Sequence, residues 1–70
     1  MKQYLVVYEN GGPNWSAFMP DLHGCVSTGG TLEECIVNIQ DAMETYIEAI
    51  KELGEPVRQS KTKGEYVRIA

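Results

Sequence analysis

The sequence is poor in the residues that bind metals, form cross-links or grip nucleic acid. Among its 70 residues are two cysteines and one histidine. Cys25 and Cys35 are too few for a disulfide framework and form no CxxC pair. Together with His23 they lack the paired spacing of a zinc site, so no metal or cofactor is expected. Basic charge is scarce: six Lys and Arg stand against ten Asp and Glu, for a net charge of −4. Nucleic-acid binding rests on many Lys and Arg contacts to phosphate, so direct DNA or RNA binding is not expected. An acidic chain is better suited to a basic protein partner, because complementary potentials speed encounter. Long apolar runs are also missing. The first, Tyr4 to Tyr8, soon meets Glu9 and is too short for a signal peptide or a membrane span. With free thiols and no export signal, a cytoplasmic protein is expected.

Seventy residues make one domain, taken here as residues 1–70, with no room for a second core. So small a core is marginally stable alone. A homodimer, a higher homo-oligomer or another partner is therefore expected.

Local patterns divide the chain further. Lys2 to Glu9 is rich in Tyr, Val and Leu, as a strand requires, and apolar on both faces, as suits a central one. Asn10-Gly11-Gly12-Pro13-Asn14 is turn chemistry. Trp15 to Met19 then completes a hairpin, and Cys25-Val26-Ser27 reads as a short third strand. From Thr31 to Leu53, apolar residues recur in steps of three and four: Leu32, Cys35, Ile36, Ile39, Ala42, Met43, Tyr46, Ile47, Ile50 and Leu53. This is one stripe on a helix. Thr31 and Glu34 make a capping box at its start, while Gly54 and Pro56 end it. Glu55 to Gly64 reads as a mobile loop, and Glu65 to Ala70 alternates as a last strand. The expected fold is α+β: a small antiparallel sheet with one long amphipathic helix on one face, in the order β-β-β-α-β.

Three sets of residues invite chemical readings. Asp21, His23 and Cys25 stand two apart, like an acid, base and nucleophile. Catalysis also needs a base within reach of the thiol and a group that orients the base. Pro20 and Gly24 interrupt the regular geometry here, so Cys25 is better read as a small buried hydrophobe and His23 as a solvent-facing turn residue. Ser27 to Thr31 precedes a helix, as a phosphate cradle does, but Glu33 and Glu34 already bring negative charge to the first turn. The two glycines there are better read as a tight turn. Asp41, Glu44 and Glu48 share one helix side, and such carboxylates more often form a solvated or partner-facing surface than a metal site. No catalytic residue is assigned.

The segments Tyr4-Leu-Val-Val-Tyr8-Glu9, Met19-Pro-Asp-Leu-His-Gly-Cys-Val-Ser27, Thr31-Leu-Glu-Glu34 and Leu53-Gly-Glu-Pro56, in this order, resemble the HicB-like antitoxin family. The resemblance implies a partial ribonuclease-H-like fold without nuclease activity. It also implies the role of binding and silencing a small, basic, HicA-like toxin that cuts mRNA, by covering its RNA-binding and catalytic surface. Within the family motif, Pro20, Asp21, Gly24, Cys25, Thr31 and Glu34 are expected to shape the loop and start the helix. The expected contacts with a partner are the acidic helix side (Asp41, Glu44, Glu48) and the edge of the last strand (Tyr66, Arg68). Many family members carry a C-terminal DNA-binding segment, and this sequence reaches Ala70 without one. His23 and Gly30 stand where the family often has Pro and Asp. The alternative function is an orphan, self-associating structural or regulatory module.

Overall fold

The computed structural model describes residues 3–70. Three strands, β1 (Val7–Asn10), β2 (Trp15–Phe18) and β3 (Val26–Gly29), precede one helix, α1 (Leu32–Glu52). The strands form an antiparallel sheet in the order β1-β2-β3. The α+β class and the single long helix thus agree with the sequence reading. Among the described residues, no helix is long and apolar enough to cross a membrane.

The sheet register decides which face is buried. Tyr8, Ala17 and Ser27 stand opposite one another, as do Asn10, Trp15 and Gly29. Directly paired residues share a face. These face the helix, where Ala17 is buried and Tyr8 and Trp15 pack against the core. Val7, Phe18 and Val26 form the corresponding row on the other face. Helix α1 supplies Cys35 and Ile39 to the core, flanked by Ala42, Met43 and Tyr46, while Met19, Leu22 and Cys25 close it from the turn between β2 and β3. The Asn38 amide also donates to the Thr28 carbonyl (2.8 Å), tying the helix to β3.

Both helix ends follow from local chemistry. The Thr31 hydroxyl accepts the Glu34 N–H at 3.1 Å, and Glu33 and Glu34 place negative charge at the positive end of the helix dipole. At the other end, the N–H groups of Gly54 and Glu55 donate to the carbonyls of Lys51 and Ile50. This Schellman arrangement satisfies the last-turn acceptors. Leu53, assigned to the buried stripe from its spacing, is instead the C-cap and is 73% exposed.

Gly29 has a role that its sequence context hid. It belongs to β3 rather than to a turn, and only Gly30 and Thr31 separate it from the helix. So short a link sets the first helical turn directly over the end of the strand. A Cβ on Gly29 would lie 2.5 Å from the Cys35 nitrogen and 2.9 Å from its Cα. At Gly30, the nearest atoms would be the Glu34 carboxylate oxygens, at 3.8 and 3.9 Å.

Three further expectations are corrected. The apolar faces of the first strand suit a central position, but it is an edge strand, and β2 is the central one. It also starts at Val7 rather than Lys2, and Lys2 lies outside the described residues. The expected last strand, Glu65 to Ala70, does not form, so the order is β-β-β-α among the described residues. Gly64 reaches Leu5, but Leu5 precedes the paired part of β1. Beyond it Tyr66, Val67 and Ile69 are exposed and bury no apolar face. Alternation alone makes no strand without a neighbour to satisfy its backbone groups.

The segment expected to be a mobile loop, Glu55 to Gly64, has no regular structure but is tied down at two points. The Tyr4 hydroxyl donates to the Arg58 carbonyl at 2.6 Å. The second tie is made by Asp21.

Candidate functional site

The turn between β2 and β3 carries Asp21, His23 and Cys25, and the fold gives each a different environment. Its shape is set by backbone bonds from Leu22 to Met19, from Cys25 to Leu22 and from Met19 to Cys25. Pro20 enters the turn, and Gly24 leaves it at a φ of 82°. Within it Leu22 is fully buried. That burial anchors the turn and fixes where its neighbours point.

Asp21 is buried, with 5% of its surface exposed. One carboxylate oxygen accepts the backbone N–H groups of Lys61 and Thr62, both at 2.9 Å. The other accepts the Thr62 hydroxyl at 2.7 Å. These bonds favour the ionised form, and the Thr62 hydroxyl contributes most to holding the carboxyl below its usual range. Asp21 is therefore a clamp on the C-terminal segment, across some 40 residues of chain. The sequence carried no direct signal for this partner. An Asp in a turn is ordinary chemistry, and its partners, two backbone N–H groups and the Thr62 hydroxyl, lie too far along the chain to be paired with it by local pattern.

Cys25 faces the opposite way, into the core. Its thiol lies 3.5 Å from the Met19 sulfur, and burial pushes it up from the ordinary thiol range. His23 remains exposed. The acid is thus committed to the C-terminal segment, the base faces solvent and the thiol is held protonated. No acid-base-nucleophile chain is assembled. Among the described residues, no group of three or more His, Cys, Asp or Glu side chains could hold a metal ion.

The residues expected to contact a partner lie elsewhere. Asp41, Glu44 and Glu48 are exposed on α1, and their spacing puts them on the side opposite Cys35 and Ile39. Val37, four residues before Asp41, lies on the same side and is 56% exposed. A valine next to the stripe residue Ile36 is easily taken for core. Its helical phase was the available signal. Tyr66 and Arg68 lie on the exposed C-terminal segment rather than on a sheet edge. The candidate contacts therefore occupy two separate elements. A third surface is the uncovered sheet face, where Phe18 and Val26 are 37% and 63% exposed.

Comparison with known proteins adds a family relation. Residues 4–68 match the family model described as the HicB-like antitoxin of bacterial toxin-antitoxin systems. A UPF0150 protein of Synechocystis sp. is 46% identical over 57 residues, covering 77% of this chain and 70% of the relative. A UPF0150 protein of Thermoplasma acidophilum is 30% identical over 57 residues, covering 81% of this chain and 83% of the relative. An uncharacterized 14.9 kDa protein from the rep-hol intergenic region of Haemophilus phage HP1 is 30% identical over 64 residues, covering 91% of this chain but 48% of the relative. No solved structure matches the chain.

Proposed function

This chain belongs to the HicB-like antitoxin family, and from that premise we propose that it silences a small, basic, mRNA-cleaving toxin of the HicA type. The family is one of antitoxin modules rather than enzymes. In the proposed mechanism the module covers the toxin's RNA-binding and catalytic surface, so that RNA is excluded by occupation rather than by chemistry.

The observation that carries this reading is the exposed carboxylate row Asp41, Glu44 and Glu48 around Val37. An RNA-binding surface is basic, and an acidic surface with an apolar anchor complements it in charge while offering area to bury. The row lies on a helix whose opposite side is fixed in the core, so the backbone positions that carry its carboxylates are fixed. Tyr66 and Arg68 on the C-terminal segment offer a second contact.

Co-expression with a small basic HicA-type toxin tests the proposal. A complex that relieves growth arrest is expected. Asp41→Lys together with Glu44→Lys should weaken that complex at least about tenfold while leaving the circular dichroism spectrum unchanged. Failure to form any complex, with growth still arrested, overturns the reading.

The second reading is an orphan self-associating module, favoured by the exposed Phe18 and Val26 on the uncovered sheet face. Apolar sheet faces and free strand edges are both routes to symmetric pairing. A stable monomer by light scattering at micromolar concentration would remove it.

A further inference from the structure

A small cleft lies between the turn after β2 and the C-terminal segment. It has a volume of about 140 Å³ and is lined by Pro20, Asp21, His23, Arg58, Gln59 and Lys61. In a chain of net charge −4, two of the six Lys and Arg residues and the one histidine line this one cleft. We propose that the cleft between His23 and the Arg58–Lys61 segment binds a phosphate group, as the free ion or as a phosphate monoester.

The walls are held in place before any ligand arrives. On one side, the Tyr4 hydroxyl fixes the backbone at Arg58, and the Asp21 carboxylate fixes it at Lys61 and Thr62. On the other, backbone bonds and the buried Leu22 fix the turn that carries His23. The backbone then needs little ordering on binding, and the cost that remains is that of the exposed Arg58, Gln59 and Lys61 side chains.

The donor set suits an oxyanion. Arg58 provides a planar fork matched to two phosphate oxygens, Lys61 an ammonium, and Gln59 and His23 further N–H donors. Asp21 also lines the cleft, and its negative charge opposes an anion. Both of its oxygens already accept hydrogen bonds from residues 61 and 62 and its charge is partly offset by Lys61, so the excess positive charge of the cleft rests on Arg58. The volume falls below the roughly 300 Å³ at which pockets hold drug-sized ligands, so it takes a single group rather than a whole nucleotide.

Titration of the 15N-labelled chain with inorganic phosphate at constant ionic strength tests the site. The amide signals of residues 21–24 and 58–62 should shift saturably at millimolar phosphate. Arg58→Ala and Lys61→Ala should each raise the apparent dissociation constant at least about fivefold, as loss of a charge-assisted bond implies. Both variants keep the backbone groups that Tyr4 and Asp21 hold, so the fold should persist, and their amide dispersion verifies it. Phenyl phosphate binding as tightly as phosphate identifies the monoester as ligand. Binding of phosphate alone identifies the free ion. Shifts that do not saturate, that are unchanged in folded Arg58→Ala, or that acetate reproduces equally would overturn the assignment.

Discussion

Replacing Gly29 by alanine adds one methyl group at the glycine that approaches its neighbours most closely. That methyl would sit 2.5 Å from the Cys35 nitrogen, 2.9 Å from its Cα and 3.0 Å from the Glu34 carbonyl carbon. Comfortable heavy-atom contacts lie near 3.5 Å, so helix and strand must part by roughly 1 Å. No side chain can yield instead, because all three atoms are backbone. Parting them loosens Cys35 and Ile39, which are 0% and 1% exposed. Overpacking of this kind costs about 1–3 kcal/mol, and a rigid backbone obstacle points to the upper end. A domain of this size has only about 3–5 kcal/mol to lose. At 4–8 °C per kcal/mol, a loss near 2–3 kcal/mol lowers Tm by roughly 10–20 °C. Thermal and urea unfolding followed by circular dichroism, at one fixed protein concentration, measures it. The control is the adjacent residue: Gly30→Ala meets only the mobile end of Glu34 and should range from neutral to about 1 kcal/mol stabilising. Gly29→Ala within about 0.5 kcal/mol of the parent, or equal losses in both variants, would refute the reasoning.

Two other predictions address the turn. Asp21→Asn should destabilise the fold at neutral pH and free the C-terminal segment, seen as faster amide exchange at Lys61 and Thr62. The Asp21 carboxyl is held below its ordinary value in the folded state. Its stabilising contribution is therefore present above about pH 4, the ordinary value, and is lost as pH falls through the folded one. The gap in Tm between parent and variant should accordingly narrow on acidification, and a pH-independent gap counts against the clamp. The Cys25 thiol, pushed up by burial, should react with an alkylating reagent at pH 7.5 far more slowly than in the urea-unfolded chain. Peptide mapping resolves it from Cys35, and native labelling at or above the unfolded rate would revive a nucleophilic role.

Much of the architecture was legible because it rests on local chemistry. The helix announced itself through the stripe Leu32 to Ile50, the Thr31 cap and the Gly54–Pro56 stop, each a property of neighbouring residues. The hairpin followed from two apolar segments around Asn10 to Asn14. Cys25 read as a core residue because its neighbours are apolar, and it is one. The acidic side of α1 was equally plain, although Val37 within it was not.

What failed was everything that depends on a distant partner. A strand's position in a sheet is decided by what pairs with it, so the apolar faces of the first strand could not reveal that it lies at an edge. Glu65 to Ala70 has the alternation of a strand but no paired neighbour. Gly29 looked like turn chemistry until the helix was seen against it. Asp21 looked like a catalytic acid or an ordinary turn residue, and its buried role depends on backbone groups some 40 residues away. Period, capping and turn chemistry, which act over a few residues, were determined by the sequence itself. Which carboxylate is clamped, which glycine is indispensable and which donors line the cleft depend on how distant segments meet, and only the tertiary structure decided them.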